Sequence, residues 1–183
     1  MKKILAVCLT ATLMASALVG CGSEPAPASS VPASSASASS VAASADTAEP
    51  ASKSVQDILA AIEAANPIDT PRDLDDFALE NDYKMTMGNI QEFAGKVSNT
   101  QGDSGTILVI KAAAGKAADV KNELATYQAD QINYWGNYAE FADAQASAQE
   151  GRIVENGDYV VLVFASLNAD YAAIDEAVTA ALA

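Results

Sequence analysis

Ser104 lies in Gly102-Asp103-Ser104-Gly105, the core of the motif that surrounds the nucleophile in many serine proteases. A hydroxyl becomes a strong nucleophile only beside a base, and the chain contains no histidine. Ser-His-Asp and Cys-His catalysis, His-ligated zinc and the usual proton switch near neutral pH are excluded with it. The tetrapeptide reads as a loop of turn-formers. Gly115-Lys116 has the placing of a phosphate loop, after a strand and before a helix. Ile110 stands where that loop's first Gly belongs, and Ala117 replaces its Ser or Thr. The acids Asp69, Asp73, Asp75, Asp76, Glu80 and Asp82 offer oxygen ligands of the kind calcium and magnesium take. An EF-hand would want an acid or Asn at Phe77 and Gly at Ala78, and finds neither. The run is expected to be a solvated face, where acids in a helix's first turn stabilise it by about 0.3–1 kcal/mol each. No metal and no cofactor are expected. Two carboxylates about 5–10 Å apart can cleave a glycosidic bond. With 21 acids from Lys53 to Ala183, spacing cannot select a pair.

The thiol of Cys21 has a sharper assignment. Met1-Lys2-Lys3 is a basic start, residues 4–19 are mostly apolar, and Leu18-Val19-Gly20-Cys21 closes the run. This is the pattern of a secretory signal cut before a cysteine, with the thiol as acceptor of a diacylglyceryl group. The apolar run is shorter than the ~20 residues a spanning helix needs. Residues 1–20 are therefore expected to be a lipoprotein signal peptide, and Cys21 to hold the mature chain on the outer face of the cell membrane. Cys8 leaves with the signal, so no thiol remains for a disulfide in the exported domain. Loss of Lys2 and Lys3 leaves 8 basic against 24 acidic residues, a net charge near -16. Such a surface repels nucleic acid and anionic headgroups.

Elements must position any remaining site. Residues 22–52 are almost entirely Ala, Ser and Pro without an aromatic ring. They cannot bury enough apolar area to offset chain entropy, and read as a disordered stalk with a reach of roughly 30 Å. Residues 53–183 are expected to form one α+β domain. Ser54 caps a helix with Val55, Ile58, Leu59 and Ile62 on one face. Thr70-Pro71-Arg72-Asp73 reads as a second helix start, with Leu74, Phe77 and Ala78 facing inward. Residues 93–98 and Thr106-Ile107-Leu108-Val109-Ile110-Lys111 form a hairpin across the Gly102-Gly105 loop. A long helix spans residues 117–141. A second hairpin joins residues 152–154 to 159–165, its Asn156-Gly157 suiting a primed turn. A last helix covers residues 169–182, with Tyr171, Ile174, Val178 and Leu182 inward. The expected sheet has about four antiparallel strands in two hairpins, packed against the long central helix and the C-terminal helix.

The long helix carries a stripe of Val120, Leu124, Tyr127, Gln131, Trp135 and Tyr138. Gln131 interrupts an otherwise apolar face, and Tyr134, Trp135, Tyr138 and Phe141 gather near the helix end. Such a stripe is expected to be core against a sheet, with Gln131 a hydrogen-bonded core amide. Aromatic rings with polar tips also line binding grooves. In that arrangement Gln131, Tyr134 and Trp135 are the ligand-binding candidates.

With these elements placed, the chain resembles a family of bacterial lipoproteins, that of domain of unknown function 4358. The resemblance covers residues 79–182. It rests on Ile107-Leu108-Val109-Ile110-Lys111, on Gln131-x-x-x-Trp135-x-x-Tyr138, and on Asn156-Gly157-Asp158-Tyr159-Val160-Val161-Leu162. The family commonly has Arg four residues before the Gln. Tyr127 stands there, so an anion-binding role does not carry over. The resemblance implies the same fold and location and brings no established activity. The expected function is a non-enzymatic, membrane-anchored extracytoplasmic module binding a cell-wall component, a small ligand or an envelope protein. The alternative is a carboxylate-based enzyme acting on cell-envelope glycans.

Overall fold

Nearly every side chain of the strand β3 (Thr106–Ala112) is buried, on both faces of the sheet. Ile107 and Val109 point into one core, Leu108 and Ile110 into another. A strand covered on both sides reads as a continuous apolar run instead of alternating with polar residues. β5 (Tyr159–Phe164) repeats the pattern, with Val161 and Val163 on the first side and Val160, Leu162 and Phe164 on the second. The computed structural model describes residues 53–183. The expected signal, Cys21 and the stalk lie outside the described residues.

The sheet is antiparallel throughout, in the order β1-β2-β3-β5-β4. β2 (Ile90–Ser98) and β3 form the first expected hairpin, β4 (Arg152–Asn156) and β5 the second. On one face lie α1 (Val55–Glu63) and α5 (Tyr171–Leu182). On the other lie α2 (Asp76–Asn81) and α3 (Ala117–Gly136). The fold is α+β, as the element order implied. Ser54 caps α1 by accepting the Asp57 N–H at 3.1 Å. Among the described residues no helix is long and apolar enough to cross a membrane.

Four expectations are corrected. The sheet has five strands, because Pro71–Asp73 forms the edge strand β1 instead of opening a helix. Thr70 has φ 46°, which the extended backbone of an N-cap excludes. Pro71 costs no ladder hydrogen bond at an edge. The helix starts at Asp76 instead, where the Asp75 carboxylate accepts the Ala78 N–H at 2.8 Å. Leu74, ahead of this shifted helix, and Ala78 within it are buried, while Phe77 is 70% exposed.

The long helix ends at Gly136, not at Phe141. A short 3-10 turn (Ala139–Phe141) then leads into α4 (Ala142–Glu150). The Gln145 amide of α4 packs directly on Gly136, where an added Cβ would displace it. Gln128 donates to the carbonyls of Ala148 and Gly151 at 2.8 and 3.2 Å, serving the orphan acceptors at the end of α4. The second hairpin is primed, but one residue later than expected. Asn156 pairs with Tyr159, leaving Gly157-Asp158 as the turn, with φ 60° at Gly157 alone. Glycine in the first central position defines a II′ turn.

Candidate functional site

The last two turns of α3 pass the loop that joins β2 to β3, and a groove of about 310 Å³ lies between them. Gln131, Tyr134 and Trp135, the three candidates from the helix pattern, all line it. Gln131 is half-buried, with no hydrogen bond to its amide among the described residues, in place of the satisfied core amide expected. Tyr134 is 52% exposed. Its ring meets Trp135 edge-on at 5.0 Å, and Trp135 meets Phe141 edge-on at 5.5 Å. Edge-to-face contacts of this kind hold rings in fixed relative orientations. The 3-10 turn after α3 makes this possible, since it turns Phe141 back toward the loop.

The facing wall was not foreseen. Residues 97–104 supply it, and nothing in their sequence announces a partner on α3. The loop is held from several sides. The Asn99 N–H donates to Thr70 O at 3.2 Å, and the Thr70 and Thr100 hydroxyls meet at 2.8 Å. Ser98 Oγ donates to Asp69 O at 3.2 Å. Gly102, at φ 81°, lies under the Phe141 ring, which an added Cβ would meet at 3.1 Å. Asp103 is 5% exposed, and its Oδ1 accepts from Gly105 N at 2.9 Å and Leu167 N at 3.3 Å. The Gly-Asp-Ser-Gly sequence is thus a pinned turn. Ser104 is 5% exposed, and among the described residues neither its hydroxyl nor Trp135 Nε1 has a hydrogen-bond partner. Both residues line the groove.

At the base of the groove Tyr127 stacks on Tyr83, with ring centres 4.0 Å apart and planes at 19°. Burial raises the pKa of both phenols above the ordinary range, and the adjacent Tyr83 raises Tyr127 further. Both stay protonated at neutral pH. The groove therefore offers aromatic faces, neutral amides and hydroxyls. Among the described residues no lysine or arginine lines it, and the one acid that does is the clamped Asp103.

A second depression of about 270 Å³ lies on the other side of Asp103 and Ser104, between α4 and the start of α5. Asp143 and Glu150 stand in it, both on α4 and two turns apart. Carboxylates that cut a glycosidic bond flank it from opposite sides, so this pair on one wall does not fit. Among the described residues no group of three or more acidic, Cys or His side chains is placed to hold a metal ion. Asp69, Asp73, Asp75, Asp76, Glu80 and Asp82 are all exposed.

A five-stranded antiparallel sheet with helices on both faces and a pinned aromatic groove defines an α+β domain with a candidate small-ligand site. The family description of domain of unknown function 4358 matches residues 66–165, more than half of the chain, and the chain belongs to that family. The match starts earlier than the resemblance read from sequence, at Asn66, and stops before α5. Neither a curated protein nor a solved structure matches the chain.

Proposed function

We propose that this protein is a lipid-anchored binding module on the extracytoplasmic face of the cell membrane, tethered through Cys21 and the Ala/Ser/Pro segment that follows it. Through the groove at the end of α3 it engages a wall component, a small ligand or an envelope protein. The observation that carries the reading is Gln131. A half-buried amide without a hydrogen-bond partner among the described residues, beside an exposed Tyr134, is unsuited to a core and suited to a ligand. The absence of histidine and of any thiol beyond Cys21 in the mature chain supports binding over catalysis.

The anchor is tested with radiolabelled fatty acid in growing cells. Label is expected in the wild type and not in Cys21→Ser, with the variant released from the membrane fraction. One acyl chain holds only marginally, so the two chains of a diacylglyceryl group are needed for stable retention. Equal labelling of both proteins would remove the anchor. The groove is tested by a photoreactive side chain at position 134 in intact cells. A discrete adduct is expected there and not from position 77, which is exposed but outside the groove. Indistinguishable adducts from the two positions would refute it.

A further inference from the structure

We propose that the groove between α3 and the β2–β3 loop binds a neutral saccharide. The assignment deepens the binding-module reading and rests on it. Three features converge on this ligand. Tyr134, Trp135 and Phe141 present apolar ring surface, which matches the C–H faces of a sugar ring. Across from them Asn99, Thr100 and Gln101 supply short neutral donors and acceptors, the groups that pair with sugar hydroxyls. On the helix wall the Gln131 amide is both donor and acceptor, without a hydrogen-bond partner among the described residues.

The groove also keeps hydrogen-bonding capacity in reserve. Buried polar groups nearly always find partners, yet the enclosed Ser104 Oγ and Trp135 Nε1 have none among the described residues; both residues line this groove, and Ser104 also lines the second depression. A ligand rich in hydroxyls would satisfy them where the groove opens around it.

Charge narrows the class further. No cation lines the groove, and the chain carries a net charge of -14. An anionic wall polymer would meet repulsion without a basic partner. A cationic ligand would find only Asp103, whose Oδ1 already serves two backbone N–H groups. The volume of about 310 Å³ is at the small end of ligand sites, which span roughly 300–1,000 Å³, and has room for one or two sugar rings.

Trp135 is the sole tryptophan of the chain, so its emission reads the groove directly. The full chain, in a detergent without a sugar headgroup, is titrated with neutral N-acetylglucosamine and glucose oligomers up to ~10 mM. An oligogalacturonate of equal length and a proline-rich peptide are titrated in parallel. A saturable shift with a neutral oligomer is expected, with the oligogalacturonate at least about tenfold weaker. Tyr134→Ala and Gln131→Ala should each weaken the neutral oligomer by about tenfold, and Phe77→Ala should not. Circular dichroism melts of the variants separate lost contact from lost fold, and the exposed Tyr134 and Phe77 should not alter them. Saturation by the peptide but by no saccharide overturns the sugar assignment and leaves the groove as a binding site. Tighter binding of the oligogalacturonate overturns the neutral-ligand argument. Silence with every probe overturns both readings.

Discussion

Asn66 is fully buried, and its side chain holds the far end of β5. Nδ2 donates to Phe164 O at 3.0 Å, and Oδ1 accepts the Ser166 N–H at 2.8 Å. Asn66→Ala removes both partners at once. A buried backbone group left without its hydrogen bond costs about 1–3 kcal/mol, so the two together cost about 2–6 kcal/mol. Domains of this size are stable by about 5–15 kcal/mol, so the loss is a large fraction of the whole. With a urea dependence of ~1.5 kcal/mol per molar, the unfolding midpoint should fall by about 1.3–4 M.

Asn66→Asp separates the hydrogen bonds from the packing. The shape is kept, and one oxygen still accepts from Ser166, but the other now faces the Phe164 carbonyl. Only the protonated acid can donate there, so its folded pKa must rise above the ordinary ~3.9. The unfolded state then loses its proton first as pH rises, and stability falls by up to about 1.4 kcal/mol per pH unit until the folded acid ionises too. The deficit against wild type should be small near pH 4 and grow by up to ~4 kcal/mol by pH 7. Urea unfolding followed by circular dichroism and by Trp135 emission measures both variants. An Asn66→Ala within about 0.5 kcal/mol of wild type, or an Asn66→Asp deficit independent of pH, would refute the clamp.

Gln131→Leu should leave the melting temperature unchanged or slightly raised, because no protein group loses a partner. A fall worth about 1–3 kcal/mol would restore the core-amide reading. Asp103→Asn keeps an oxygen for Gly105 N and Leu167 N and should cost about 1 kcal/mol or less, whereas Asp103→Ala should cost about 2–4 kcal/mol. Equal losses in urea unfolding would mean that charge, not the turn, is what Asp103 provides. Above pH ~10 the unfolded phenols ionise while Tyr83 and Tyr127, raised by burial, keep their protons. Stability should then fall by about 1.4 kcal/mol per pH unit for each. Urea midpoints that do not change between about pH 9 and 11 would count against the buried stack.

Where the sequence was legible, one dominant local cause was at work. β3 and β5 are runs of branched apolar residues because both their faces are covered. α1 carries its own cap in Ser54, and α5 its own in Asp170. Where it was not, a distant contact decided. Thr70-Pro71 has helix-start chemistry, but contacts to Asn99 and Thr100 accompany Thr70 in the left-handed region. α4 has no large apolar residue to betray it, and buries only Ala144 and Ala148. Half of the candidate groove follows the same division. Gln131, Tyr134 and Trp135 share a helix surface that spacing reveals. Their opposite wall is about thirty residues earlier in the chain, and its chemistry there is indistinguishable from that of any polar hairpin loop.

The two clamps show why this wall can be rigid although it is a loop. Asn66 holds the amide of Ser166, and Asp103 holds the next one, Leu167. Asn66 and Asp103 are 37 residues apart in the chain, yet they meet at the point where β5 leaves the sheet. Asp103 also accepts from Gly105, so the exit from β5 and the turn of the β2–β3 loop share one oxygen atom. A loop fixed to the sheet in this way loses little freedom when a ligand arrives, which lowers the entropic cost of binding. The rings opposite are held by different means, through edge contacts with one another. Both walls are therefore set before any ligand enters. The two walls also brace each other, since the Phe141 ring lies on Gly102 of the loop, and Gln131 on the helix wall is left without a hydrogen-bond partner among the described residues.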